Sequence, residues 1–393
     1  MREYFQKYFK GDSVIWAIII VLSIFSVLAV YSSTGTLAYK YQGGDTTYYF
    51  FKHSMFILIG IFIVFITHWV PYRYFSKISI LFLWISIPLL ALTLVIGTSL
   101  NEASRWLTLP GIGVSFQTSD LAKLALIMYV ARLLAIKQDV IKGFKDAFRP
   151  IVIPILIVCG LILPANFSTA ALLFATTWIL MFIGRVNLKY LFGLVGIGLV
   201  LFTIFIAIVM NSDNTGRVGT WKKRIENFTS GDSESNYQAE QAKIAIVTGG
   251  IIGKMPGNST QRNFLPHPYS DFIYAIIIEE YGLIGGITML ALYLWLLYRA
   301  GKIVRKTSGS FSAFLAIGLA LSLVFQAMIN MAVSVNLLPV TGQTLPFVSM
   351  GGTSILFTSV ALGIILSVSR DANIAETEVS KEKKQTEKEV VKA

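Results

Sequence analysis

The chain has 393 residues, 55% of them hydrophobic and 14% charged, with a formal net charge of +12 and a mean hydropathy of +0.68. A soluble domain cannot hide that much apolar surface, so the composition excludes a soluble protein and leaves a polytopic membrane protein. The excess of Lys and Arg stands in short loops between apolar runs, a pattern of membrane orientation rather than of nucleic-acid binding.

A spanning helix needs about 20 mostly apolar residues. The first run, Val14–Ser33, follows Arg2, Lys7 and Lys10 and is long enough to read as a signal anchor. Further runs fall at Ser54–Val70, Ile78–Ile96, Leu121–Ala135, Ile151–Leu163, Phe167–Ile183, Tyr190–Met210, Phe272–Leu297, Phe311–Val335 and Thr353–Val368. The expected fold is all-α, with about ten transmembrane helices, although the two runs flanking Asn166 could form one bent element. Lys and Arg concentrate in alternate loops, at Arg73 and Lys77, between Lys137 and Arg149, at Arg185 and Lys189, and between Arg299 and Lys306. The positive-inside rule then predicts both termini in the cytoplasm and a large extracytoplasmic loop, residues 211–270, between helices 7 and 8. Residues 1–370 read as one transmembrane domain, and the Glu- and Lys-rich tail 371–393 as a disordered cytoplasmic extension. The single Cys159 excludes an intramolecular disulfide, and His53, His68 and His267 show no metal-ligand spacing. No Walker-type loop or dinucleotide fingerprint is present.

The outward side collects what the membrane interior rejects. Arg105 and Trp106 precede Gln117–Lys123, in which Asp120 and Lys123 are three apart and can pair on one helix face. Equally, Ser119 or Asp120 can cap the helix while Lys123 snorkels. Pro164 to Thr169 reads as a tight helix–helix turn. In the long loop, Arg217, Lys222, Lys223 and Arg224 surround Trp221 and suit either a diphosphate or anionic lipid. Gln238 and Gln241 lead into Ile244–Ile252, too short to span and expected to be an interfacial or re-entrant helix. Lys254, Asn258, Ser259 and Gln261 follow among glycines, and groups of this type recognise sugars. Asp271 stands where the next apolar run begins. A carboxylate there caps helix amides, but it also places an acid at the mouth of a membrane protein. Glu279 and Glu280 lie about two turns into that run and need interior partners. The Pro- and Gly-rich segment Pro339–Gly352, with Ser349, implies a set backbone shape.

On these residues the chain resembles the SEDS family of bacterial membrane proteins, the FtsW, RodA and SpoVE group, from the first span to about Arg370. The likeness rests on Ala103–Leu107 with Gln117–Lys123, Tyr237–Gln241, Gly249–Gly285 and Leu338–Ser354, in that order. The form GNSTQRNFLP at Gly257–Pro266 looks more like the FtsW branch than the RodA branch. The resemblance implies a glycosyltransferase that polymerises lipid II into glycan strands at the outer face of the bacterial cytoplasmic membrane, in cell division. The family's proposed catalytic acid falls on Asp271, its acid–lysine pair on Asp120 and Lys123, and its loop arginine and tryptophan on Arg105 and Trp106. The chain departs from the family's usual pattern at Asp120, Asn166, Ser270 and Met350, where Glu, Asp, Thr and Tyr are common. Implied partners are an FtsI-like class B penicillin-binding protein and other division proteins; no nucleic acid is expected.

The chemistry requires a sugar hydroxyl to displace a lipid diphosphate, and a positioned carboxylate base accelerates such a step by about 10²–10⁴-fold. Asp271 is the expected base. Arg105, Lys123 and the Arg217–Arg224 cluster are the expected diphosphate contacts, and Gln238, Gln241, Lys254, Asn258, Ser259, Gln261, Glu280 and Ser349 complete the expected substrate site. A divalent cation, Mg²⁺ or Mn²⁺, could neutralise the leaving diphosphate. A lipid-precursor flippase, an elongation polymerase of the RodA type and a non-catalytic division scaffold are the alternatives; a transporter would place its ionisable groups nearer the membrane midplane, where Glu280 is the candidate.

Overall fold

The structure is a computed structural model in which residues 8–100, 103–108, 115–211, 219, 222 and 237–392 are described. In chain order the elements are α1 (Ser13–Ser33), α2 (Gly35–Tyr41), α3 (Thr46–Trp69), α4 (Tyr72–Ile96), β1 (Thr98–Leu100), β2 (Ala103–Thr108), β3 (Ser115–Gln117), α5 (Thr118–Ile136) and α6 (Arg149–Ile162). There follow α7 (Phe167–Ile183), α8 (Leu188–Asn211), α9 (Tyr237–Gly249), α10 (Ile273–Lys306), α11 (Ser310–Ser334) and α12 (Thr353–Lys392). Each of the ten apolar runs is helical. Among the described residues, α1, α3, α4, α8, α10, α11 and the first part of α12 are long and apolar enough to cross a membrane. By contrast α5 carries Asp120, Lys123 and Arg132, while α6 and α7 have only 14 and 17 residues.

The helix boundaries follow from local chemistry. Asp12 caps α1 by accepting from the N–H groups of Val14 and Ile15 at 2.9 and 3.2 Å. Asn166 caps α7 by accepting from Thr169 N at 3.2 Å, so the polar break makes two helices and a turn rather than one bent element. The α10–α11 pair forms the centre, with α5 packed on α11 and α12 packed on α3. At one end of the bundle Arg299 grips Asp12, and Arg370 donates to the carbonyls of His68 and Trp69 at 2.9 and 2.7 Å. Asp271, Ser349, Gln343 and Thr169 gather at the other end.

Three expectations need correction. The fold is not purely α: β1, β2 and β3 form a three-stranded antiparallel sheet between α4 and α5, with Trp106 on the middle strand opposite Thr98 and Gln117. Backbone leaving a span needs hydrogen-bond partners, and the three short strands supply them as a ladder. The short helix of the long loop is Tyr237–Gly249, starting earlier and ending sooner than the apolar stretch Ile244–Ile252. The charged tail continues α12 as helix to Lys392. Its Glu, Lys and Gln are strong helix formers.

One helix is interrupted. Gly282, with φ 70° and ψ −171°, breaks α10 two turns from its start. The Glu279 and Glu280 carbonyls accept instead from Lys254 N and Met255 N, both at 2.9 Å. Leu283 N and Ile284 N donate to the carbonyls of Gly250 and Ile251 at 2.9 and 3.3 Å. Residues 250–255 thus take over the donors and acceptors that the break releases, as an apolar environment demands. The approach is close enough to require glycine: a Cβ on Gly282 would lie 2.1 Å from the Ile251 carbonyl oxygen, and one on Gly253 2.2 Å from that of Glu280.

Gly282→Ala is therefore expected to cost about 2–4 kcal/mol of stability. Gly301→Ala, in the same helix but with open space around it, is expected to gain about 0.5–1 kcal/mol. Thermal unfolding in lipid nanodiscs reads both, and equal shifts would contradict the assigned break.

Candidate active site

Asp271 sits in the turn before α10, half-buried, with the N-cap position one residue later at Phe272. Pro266 and Pro268 keep the preceding chain from joining the helix, and the helix N-terminus favours a negative charge at this point. The Asp271 carboxylate accepts from Ser270 Oγ at 3.0 Å. The backbone beneath it is held at three consecutive carbonyls. Tyr269 O accepts from Met350 N at 2.9 Å, Ser270 O from Ser349 Oγ at 2.6 Å, and Asp271 O from Asn330 Nδ2 at 2.8 Å. Ser349 and Asn330 are buried. Segment 343–350 is itself fixed from below, where Ser26 Oγ donates to Val348 O at 2.8 Å and Tyr293 donates its hydroxyl to Pro346 O at 2.5 Å. The main chain that carries Asp271 is thereby fixed, and the Ser270 hydroxyl is the contact that orients its carboxylate.

On α11, one turn before Asn330, Gln326 reaches the second charged feature. Lys123 and Asp120 form an ion pair at 2.8 Å, and Lys123 Nζ donates to Gln326 Oε1 at 3.1 Å. Gln326 Nε2 donates onward to Thr344 O at 3.0 Å. The pairing expected from the three-residue spacing is present, and Lys123 lies inside rather than snorkelling. Asp120 and Lys123 line a narrow cleft between α5, α11 and α12, together with Gln326, Ser354 and Thr358. The second oxygen of Asp120 is buried there without a hydrogen-bond partner. The amide of Asn330 also donates to Gln343 O at 2.7 Å, and Gln343 donates to Thr169 Oγ1 at 2.7 Å, so α7 joins the same network.

Several residues expected to bind substrate stand in a network of hydrogen bonds within the protein. Glu279 is fully buried, and its carboxylate accepts from Lys254 Nζ at 2.7 Å, Ser259 Oγ at 2.5 Å, Thr260 N at 3.0 Å and Gln261 N at 3.2 Å. Asn258 Nδ2 closes the same loop onto Lys254 O at 3.0 Å. Glu280 accepts from Ser32 Oγ, and Arg262 donates to Ser32 O at 3.0 Å, tying α1 to the 257–263 segment. Gln238 and Gln241 are half-buried on α9, which packs against α10. Trp106 is half-buried on β2. The side chain of Arg105, and Arg217 and Arg224 entirely, lie outside the described residues. Among the described residues no group of three His, Cys, Asp or Glu side chains could hold a metal ion; a cation carried by a substrate diphosphate needs only one or two carboxylates.

Sequence reading overlooked Gln326, Asn330, Gln343 and Arg262. A usable signal existed for the first two, since amides four apart inside an apolar run share one helix face and require partners. Close to Asp271, burial raises the pKa of the Tyr269 phenol, and the negative charge of Asp271 raises it further, with smaller effects from Tyr41 and Tyr49. Tyr269 is therefore a neutral hydrogen-bonding group at physiological pH.

A family model described as a cell cycle protein, grouping FtsW, RodA and SpoVE, matches residues 12–374. A relative from Trichlorobacter lovleyi, called a probable peptidoglycan glycosyltransferase FtsW, is 33% identical over 385 residues, covering 95% of this chain and 98% of its own. A relative of the same description from Geobacter metallireducens is 34% identical over 365 residues, covering 92% and 95%. Among solved structures, one chain of a peptidoglycan synthase complex, reported as coordinating polymerization and crosslinking, superposes with a TM-score of 0.71 at 24% identity over 92% of this chain and 98% of that one. The rod shape determining protein RodA of Thermus thermophilus gives 0.66 at 22% identity, over 92% and 97%. At these identities the structural matches bear on fold alone.

Glu279→Gln should leave Lys254 without its counter-charge and loosen residues 254–261, at a cost of about 2–4 kcal/mol. The double variant Glu279→Gln with Lys254→Met should recover part of that loss, measured by thermal unfolding in nanodiscs. A stable Glu279→Gln protein would return these residues to the substrate site.

Proposed function

The chain belongs to the FtsW, RodA and SpoVE family of cell cycle proteins, and from that premise we propose that Asp271 is the general base of its glycosyl transfer. The protein is a peptidoglycan glycosyltransferase. The proposed topology has ten spans with both termini in the cytoplasm. Its support is the grouping of Arg299, Arg370 and Arg132 at the end of the bundle opposite Asp271, which the positive-inside rule makes the cytoplasmic end. Asp271 then faces outward, and the long loop is extracytoplasmic.

The substrate proposed is lipid II, as donor and acceptor. Asp271 takes the proton of an acceptor sugar hydroxyl while that oxygen bonds to the anomeric carbon of the donor. The bond from that carbon to the diphosphate oxygen breaks, and its electron pair leaves with the lipid diphosphate. One carboxylate acting as base, with no second carboxylate placed as nucleophile among the described residues, favours a single displacement with inversion. Lys123, in the cleft one helical turn of α11 away from the Asn330 contact, is the described cation best situated for the leaving diphosphate. The observation that carries this reading is the backbone clamp under Tyr269–Asp271, since positioning of the base to well under 1 Å is what general-base catalysis needs. The FtsW description of its relatives supports a role in septal synthesis, in the bacterial cytoplasmic membrane. The complex-derived structural neighbour supports a crosslinking partner of the class B penicillin-binding protein type.

Purified protein with its cognate transpeptidase and labelled lipid II supplies the test. Asp271→Asn is expected to lower strand synthesis by about 10²-fold or more. Asn330→Ala is expected to lower kcat by about 10²-fold with little change in KM, because it frees the turn without touching substrate. Wild-type rates from Asp271→Asn would sink the base. Movement of lipid II across liposomes without strand synthesis would make the protein a flippase, and inertness of both forms in an assembled complex would make it a scaffold.

A further inference from the structure

At the end of the bundle away from Asp271, a cavity of about 170 Å³ lies where three apolar helices begin or end. One water needs about 10–15 Å³ of such space, so a phosphate group fits with several waters. The lining includes Ser13, the first residue of α1, Lys306, the last of α10, and Asn373, beside the end of the apolar part of α12 at Ile374. A cavity at the ends of three spans lies at the depth of lipid headgroups. Arg299, Lys302 and Lys306 line it from one face of α10, and Ser369 lines it from α12. Here α1 meets α12 closely: a Cβ on Gly11, whose φ is 98°, would lie 2.9 Å from the Leu366 carbonyl oxygen.

The charged groups of this cavity have donors to spare and no acceptor. Asp12 Oδ1 accepts from Val14 N and Ile15 N, and Asp12 Oδ2 accepts from Arg299. Both carboxylate oxygens are therefore occupied, whereas Arg299 uses only Nε and Nη2 among the described residues and keeps Nη1. Lys302 has no acidic partner among the described residues; its Nζ stands 5.7 Å from the centre of the Tyr298 ring. Ser369 is only 2% exposed, yet its hydroxyl makes no hydrogen bond among the described residues. A helical serine commonly returns its hydroxyl to a carbonyl one turn back, as Ser359 does to Ile355 O at 2.7 Å on the same helix. A buried donor without an acceptor is costly, and Lys302 and Lys306, four residues apart, repel each other. An anion rich in oxygens relieves both, and phosphate has acceptors enough for a guanidinium edge, an ammonium and a hydroxyl. Basic residues that only mark orientation need neither a cavity nor a buried hydroxyl. Basic pockets between spans bind anionic headgroups by this chemistry. We propose that this cavity is a phosphate site and that it takes the headgroup of an anionic phospholipid from the leaflet on the side away from Asp271. The headgroup joins α10 to α12 through Arg299, Lys302 and Ser369, where the Asp12–Arg299 pair already joins α10 to α1.

The test uses the full chain in nanodiscs of phosphatidylcholine, with or without phosphatidylglycerol. Native mass spectrometry reads the phosphatidylglycerol retained, and thermal unfolding reads the midpoint. Wild type is expected to retain this lipid and to unfold at a higher midpoint in its presence. Lys302→Gln with Ser369→Ala leaves the Asp12–Arg299 pair in place. This variant should bind phosphatidylglycerol about tenfold more weakly and lose the rise, with a midpoint in phosphatidylcholine alone no lower than that of wild type. Arg305 is exposed on the same helix but does not line the cavity, so Arg305→Gln removes an equal charge and should behave as wild type. Unchanged retention in the double variant, or an equal loss from Arg305→Gln, would reduce the effect to general attraction of cations for an anionic surface and overturn the site. Inorganic phosphate supplies the other arm. A rise with phosphate in phosphatidylcholine nanodiscs that the double variant loses, with no response to phosphatidylglycerol, would keep the phosphate site and overturn the lipid as its source.

Discussion

Nothing polar inside a bilayer can be left for water to satisfy, and the break in α10 at Gly282 is where this chain answers that constraint most directly. The released carbonyls and N–H groups are taken up by residues 250–255, and the Glu279 carboxylate binds the loop that follows. The chain between α9 and α10 is thereby stitched to α10 itself. Without that stitching, the half-helix Ile273–Tyr281 would have no fixed orientation, and neither would the turn at its outer end that carries Asp271. The break also explains why a buried carboxylate is tolerated at Glu279: it is surrounded by a lysine, hydroxyls and amides rather than by lipid.

A second set of contacts works from the other side. Asn330 and Gln326, four residues apart on α11, hold the Asp271 carbonyl and the Lys123 ion pair respectively, and both reach segment 343–344. One rigid helix therefore sets the spacing between the carboxylate at the mouth and the cation in the cleft. Such an arrangement suits a reaction in which a proton leaves at one point and negative charge develops at another.

Much of this was legible in the residues. Apolar length located all ten helical runs, the i,i+3 spacing of Asp120 and Lys123 allowed their pairing as readily as a cap with a snorkelling lysine, and Asp271 stood out as an acid at the start of a span. Prolines and glycines near Ser349 implied the set backbone that does hold Ser270. What stayed hidden depended on distance along the chain. That Lys254, Ser259 and the Gln261 backbone bind the carboxylate of Glu279, about twenty residues on, is not readable from local sequence. The sheet around Trp106 escaped notice because its strands are three to six residues long, too short for an alternating pattern to register. The tail was misjudged because low hydrophobicity argues for disorder while Glu, Lys and Gln also favour helix, and composition alone does not rank the two.

The account turns on Asp271 acting in the transition state rather than as a binding group. The affinity of the Asp271→Asn protein for lipid II, measured in nanodiscs under conditions where no strand forms, tests this most directly. The account predicts a Kd within about twofold of wild type, the carboxylate being a base whose effect is confined to the chemical step. A loss of affinity as large as the loss of rate would contradict it and make Asp271 a substrate ligand.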